Sequence, residues 1–70
     1  MNYKWYEVWS DDGMEIPYIL LLFKLSDNRI RIIDPRDNEK VVYESQDYDS
    51  AKYWLLEDEY VLVKGRMVIE

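Results

Sequence analysis

Tyr18-Ile19-Leu20-Leu21-Leu22-Phe23-Lys24-Leu25, then Ser26-Asp27-Asn28, then Arg29-Ile30-Arg31-Ile32-Ile33: the fold of this chain turns on how these residues are read. The first eight are apolar at odd and even positions alike, as expected of a central strand covered on each side. Ile19, Leu21, Phe23 and Leu25 make its more uniformly apolar face. After the tight turn, Arg29 to Ile33 alternates cleanly, with Ile30 and Ile32 inward and the two arginines outward. The core is therefore expected on the face of Ile19, Leu21, Phe23, Ile30 and Ile32.

Working outward, Tyr3-Lys4-Trp5-Tyr6-Glu7-Val8-Trp9 carries the aromatic and β-branched residues that suit a strand. Alternation places Tyr3, Trp5 and Trp9 on one side and Tyr6 and Val8 on the other. Ser10-Asp11-Asp12-Gly13 supplies turn chemistry, since Gly13 is able to take positive φ and the aspartates can bond the turn's own backbone. Pro17, lacking an N–H, belongs at the start of the next strand. On the other side, Asp34-Pro35-Arg36-Asp37-Asn38 places proline at the second position of a turn and an asparagine tolerant of the left-handed region. Lys40 to Tyr43 follows as a fourth short strand.

Helical periodicity then begins. Tyr48, Ala51, Trp54 and Leu55 share one side of a helical wheel, and Asp49, Ser50, Tyr53 and Glu57 the other. Asp47 is the expected N-cap, with Asp49 the alternative, and the helix is expected to stop near Glu59. Tyr60 to Ile69 returns to β-type residues as one strand or two, with Gly65 marking a bulge or turn. The expected fold is α+β, one domain over residues 1–70: an antiparallel meander of four to five strands with one amphipathic helix on one face, in the order β-β-β-β-α-β.

Composition narrows the chemistry. Among 70 residues there is no cysteine and no histidine, which removes disulfides, the usual zinc sites and Cys or His nucleophiles. Seven Tyr, three Trp and one Phe are a heavy aromatic load for a chain this short, and disorder is not expected. A domain of this size buries only about 60% of its unfolded surface, so it depends on core quality or on association. The formal net charge of −6 works against nucleic acid and anionic lipid and favours a basic partner. The longest apolar run, Tyr18 to Phe23, falls far short of the ~20 residues of a membrane span, and no leader is visible, so the expected location is cytoplasmic.

Paired carboxylates are the one catalytic route left, at Asp11, Asp12 and Glu15 or at Glu57, Asp58 and Glu59. The first group reads as hairpin chemistry and lacks the alternating ligands of a calcium loop. The second faces the negative end of the helix dipole, a cost that pairing with Lys52, Lys64 or Arg66, solvation, or a cationic partner would offset. No catalytic residue, metal or cofactor is expected. The candidate interaction surface is Trp5, Trp9, Leu20, Leu22, Glu57, Asp58 and Glu59. One helix covers one sheet face, so the second face, taken as Tyr18, Leu20, Leu22, Ile33 and Leu62 beside Trp5 and Trp9, needs a cover: a second copy, another protein, or the N-terminal strand folding over.

Two resemblances come from the C-terminal half. Val42-Tyr43-Glu44-Ser45 through Tyr48-Asp49-Ser50-Ala51-Lys52-Tyr53-Trp54-Leu55-Leu56 resembles the strand and helix of the AP2-like arm-binding domain of phage integrases, whose three-stranded sheet reads DNA. The basic sheet face of that family is missing here. Trp54 to Tyr60, followed by Val63 to Met67, is similar to segments of small bacterial proteins of unknown function, a resemblance that brings no activity with it. The expected role is a non-catalytic small acidic interaction or regulatory module, with a protein partner or homodimer. The alternatives, in order, are nucleic-acid binding through the sheet and a carboxylate-only enzyme.

Overall fold

The computed structural model describes residues 3–13, 15–63 and 65–69. In chain order it contains β1 (Tyr3–Asp11), β2 (Tyr18–Leu25), β3 (Ile30–Asp34), β4 (Lys40–Ser45), α1 (Tyr48–Glu57), β5 (Val61–Leu62) and β6 (Met67–Val68). The strands form one antiparallel sheet in the order β4-β3-β2-β1-β5, and β6 also pairs with β1. The fold is the α+β meander with a single helix, and the C-terminal segment closes it as two short strands on the outer edge of β1.

The turns follow their side chains. Asp34 opens a turn with Pro35 at its second position, closed by Asp37 N–H to the Asp34 carbonyl at 3.3 Å. Asn38 and Glu39 then both take positive φ, as the type I′ connection into β4 requires. Gly13 does not: no described glycine has positive φ. Its role is close approach, because the Gly13 N–H donates to Asp11 Oδ1 at 3.0 Å and a Cβ there would lie 3.1 Å from the same oxygen. Asp47 caps α1, accepting from the Ser50 N–H at 3.2 Å and the Ser50 hydroxyl at 2.7 Å. The helix ends in a Schellman arrangement, with Glu59 N–H to Leu56 O and Tyr60 N–H to Leu55 O, both 3.0 Å. The left-handed residue that closes it, usually glycine, is Glu59 at φ 63.

The helix covers the face opposite to the one expected. Leu22 lies across from Ile32 and Lys24 across from Ile30, so the inward isoleucines of β3 share a face with Leu20 and Leu22. The turn sets this parity: the Arg29 carbonyl accepts from Leu25 N–H at 2.8 Å, and Asn28 adopts a φ of 74. Had Ile30 faced Leu25, every side chain of β2 would have changed sides. The core is Trp9, Leu20, Leu22, Ile30 and Ile32 from the sheet, Ala51 and Leu55 from the helix, and Tyr60 just beyond it. Trp54 lies at the margin of this core, half-buried and stacked on Tyr43 with ring centroids 5.0 Å apart. A bulge between Tyr3 and Trp5 also moves Tyr3 off the side of Trp5 and Trp9, and its ring stacks on Phe23 at 4.3 Å on the far face.

Candidate functional site

Of the residues expected to form an interaction surface, Trp9, Leu20 and Leu22 are interior, 1%, 4% and 0% exposed in the core on the helix side of the sheet, and present no surface. The register just described is the reason. Trp5 is partly buried at the rim of the same core. Glu57, Asp58 and Glu59 are exposed, and no cation among the described residues forms an ion pair with them. Glu57 and Asp58 line an open cleft of about 310 Å³ with Trp54. Arg66, one of their expected partners, pairs with Glu7 instead, and Lys64 lies outside the described residues. Asp11 and Asp12 serve the first turn, Asp12 accepting the Ser10 hydroxyl at 2.7 Å. Asp11 of the first turn and Asp58 of the helix end both act electrostatically on the Tyr60 hydroxyl.

The uncovered sheet face is instead the odd side of β2. Residues opposite one another across the ladders share a face, which lays its side chains out in rows. One row runs Met67, Tyr6, Phe23, Arg31, Glu44. The next runs Val8, Leu21, Ile33, Val41, and Ile19 stands beyond Leu21 beside Ser10 and Val61. Tyr3 and Tyr6 both lean on the Phe23 ring, with centroids at 4.3 and 5.7 Å. All three are of intermediate burial, and Leu25 and Ser10 on the same side are 3% and 4% exposed. The polar end of this face is a closed charge cluster: Glu44 accepts from Arg31 Nε at 2.8 Å and from Arg29 at 3.2 Å, and Arg29 also holds Asp27 at 2.8 Å.

A second constellation lies at the other edge. Glu7 projects into the core face between Trp5 and Trp9 and is 3% exposed. Its carboxylate accepts from the Tyr48 hydroxyl at 2.9 and 3.0 Å, from Trp9 Nε1 at 3.1 Å and from Arg66 Nε at 3.4 Å. Burial, then the bond to Glu7, raises the Tyr48 hydroxyl above the ordinary phenol range. Asp34 repeats the theme, buried and accepting the Tyr18 hydroxyl at 2.5 Å while Arg36 lies 5.0 Å over the Tyr18 ring. Sequence reasoning passed over Glu7. Its signal was the i, i+2 spacing from Trp5 to Glu7 to Trp9, which places a carboxylate on the same side as two tryptophans.

Among the described residues, no cluster of carboxylates is arranged to hold a metal ion, and no helix is long and apolar enough to cross a membrane. Compared with family models, with curated proteins and with solved structures, the chain matches none.

Proposed function

We propose that the chain is a non-catalytic interaction module that binds a basic amphipathic helix of a protein partner on the open face of its sheet. The observation that carries this reading is the pair of rows Tyr6-Phe23 and Val8-Leu21-Ile33-Val41, apolar, partly exposed and, among the described residues, on the side of the sheet away from the helix. A contiguous apolar face rimmed by charge is the usual mark of an interaction site. The occupant is argued from shape and charge. The chain's own ten-residue helix already covers the opposite face of the same sheet. At a net charge of −6, two copies repel one another, whereas a basic helix is attracted.

The test is titration of the labelled protein with an amphipathic helical peptide of leucine and lysine, beside a scrambled peptide of the same composition. Saturable binding of the first alone, with resonances of Tyr6, Leu21 and Phe23 moving and a Leu21→Lys variant no longer binding, supports the reading. Equal binding of both peptides, or a Leu21→Lys variant that binds as wild type does, ends it. Nucleic-acid binding through the sheet ranks below this, because Arg29 and Arg31 are engaged by Asp27 and Glu44 and a phosphate has to displace those carboxylates. A carboxylate-only enzyme ranks last, since Asp11 and Asp12 are engaged within their own turn and Glu57 and Asp58 line only an open cleft.

A further inference from the structure

Arg66 sits in a box that the rest of the protein builds without it. Trp5 and Tyr48 form two walls, their rings 5.8 Å apart at 71°. The Arg66 guanidinium carbon lies 3.8 Å from the Trp5 ring centroid and 5.1 Å from that of Tyr48. The floor is the Glu7 carboxylate, anchored independently by Tyr48 and Trp9. Aromatic faces plus a buried carboxylate are the chemistry that recognises a desolvated cation. The walls and floor come from β1 and α1, where Glu7 is buried and Trp5 and Tyr48 partly so, and the occupant comes from an exposed segment. β6 is only two residues long, and Met67, Val68 and Ile69 are all exposed. Beyond that short ladder, the bond from Ile69 N–H to the Lys4 carbonyl at 2.9 Å ties the segment to the β1 edge.

We propose that Trp5, Glu7 and Tyr48 form a guanidinium-binding site, and that an extended partner segment carrying an arginine followed by apolar residues takes it by replacing β6 on the edge of β1. The resident segment, Gly65-Arg66-Met67-Val68-Ile69, displays the ligand's chemistry: a cation in the box and backbone pairing beside it. The site is on the opposite sheet face from the one assigned to the basic helix and does not depend on it.

The experiment uses the full-length chain, an Arg66→Ala variant, and the capped hexapeptide Lys-Gly-Arg-Met-Val-Ile beside its citrulline counterpart, whose urea head is neutral. Binding is read by calorimetry and by the Trp5 indole N–H resonance. Removing the tethered competitor should tighten the arginine peptide at least about tenfold over wild type, since a tethered segment acts at roughly millimolar effective concentration. The citrulline peptide should bind Arg66→Ala about tenfold more weakly than the arginine peptide, for want of the charge. Equal affinity of the two peptides, or binding that leaves the Trp5 indole unmoved, overturns the proposal. Should Arg66→Ala lose its dispersed spectrum, Val68→Gly loosens the strand while keeping the box intact. Tighter arginine-peptide binding than wild type supports the site there too, and equal or weaker binding overturns it. Sedimentation of wild type as a dimer that Arg66→Ala dissolves would give the box to a second copy and overturn the assignment to a partner.

Discussion

Glu59 and Glu7 each break a local rule, and both exceptions can be measured. A glutamate at φ 63 pays the steric cost of the left-handed region at a position where glycine pays none. Glu59→Gly should therefore raise the free energy of unfolding by about 1 kcal/mol in urea titrations. The sequence reading placed the helix end near the right residue but had no glycine to mark the closing motif. Glu7 is the reverse case, a buried carboxylate held because three donors converge on it. Glu7→Ala leaves the Tyr48 and Trp9 donors without their acceptor and should cost about 2–3 kcal/mol, read as a lower urea midpoint at unchanged slope. The tyrosines add a pH signature. Burial lifts Tyr48 and Tyr60, and the bond to Asp34 lifts Tyr18, above the ordinary value near 10. Folded phenols that keep their protons longer than unfolded ones contribute stability that is intact below that pH and lost as pH rises through the folded values. The thermal midpoint should fall above about pH 10, and Tyr60→Phe should lessen the fall.

At the scale of elements, the strands, the helix and the Asp47 cap were legible because each rests on local chemistry: alternation, a 3.6-residue period, and an aspartate two residues after Ser45. The pairing of faces was not. β2 is apolar on both sides, and Lys24, at the end of the core-side row, made the wrong side look more uniform. Only the reach of the turn between Leu25 and Ile30, a matter of one residue, decides which side receives Ile30 and Ile32. The same blindness hid the Tyr3 bulge, and it misassigned Trp9, Leu20 and Leu22 as surface. The helix energetics move accordingly. Leu55 is fully buried and Trp54 is a half-buried lid on Tyr43, so Leu55→Ala should cost about 2–5 kcal/mol and exceed Trp54→Ala. A thermal melt of the two variants in which Trp54→Ala is the lower would reverse that ranking.

For the molecule as a whole, the consequence of the register is a sheet with the helix on one face and, among the described residues, a partly exposed apolar face on the other. Among the described residues the one helix lies on one face alone, but the side away from it holds Tyr6, Val8, Leu21, Phe23 and Ile33 instead of Leu20 and Leu22. The interaction reading, the place of its docking surface and the energetics of the core all depend on that assignment. Two adjacent leucines separate the alternatives. A lysine at position 21 can reach water along the partly exposed face, whereas a lysine at position 22 must bury its charge in the core it shares with Ala51 and Leu55. Urea unfolding of Leu21→Lys and Leu22→Lys, side by side, is the most direct measurement. Leu21→Lys should remain folded within about 1 kcal/mol of wild type, and Leu22→Lys should lose several kcal/mol and unfold. A folded Leu22→Lys beside an unfolded Leu21→Lys would contradict the register, and with it the open face on which the proposed function rests.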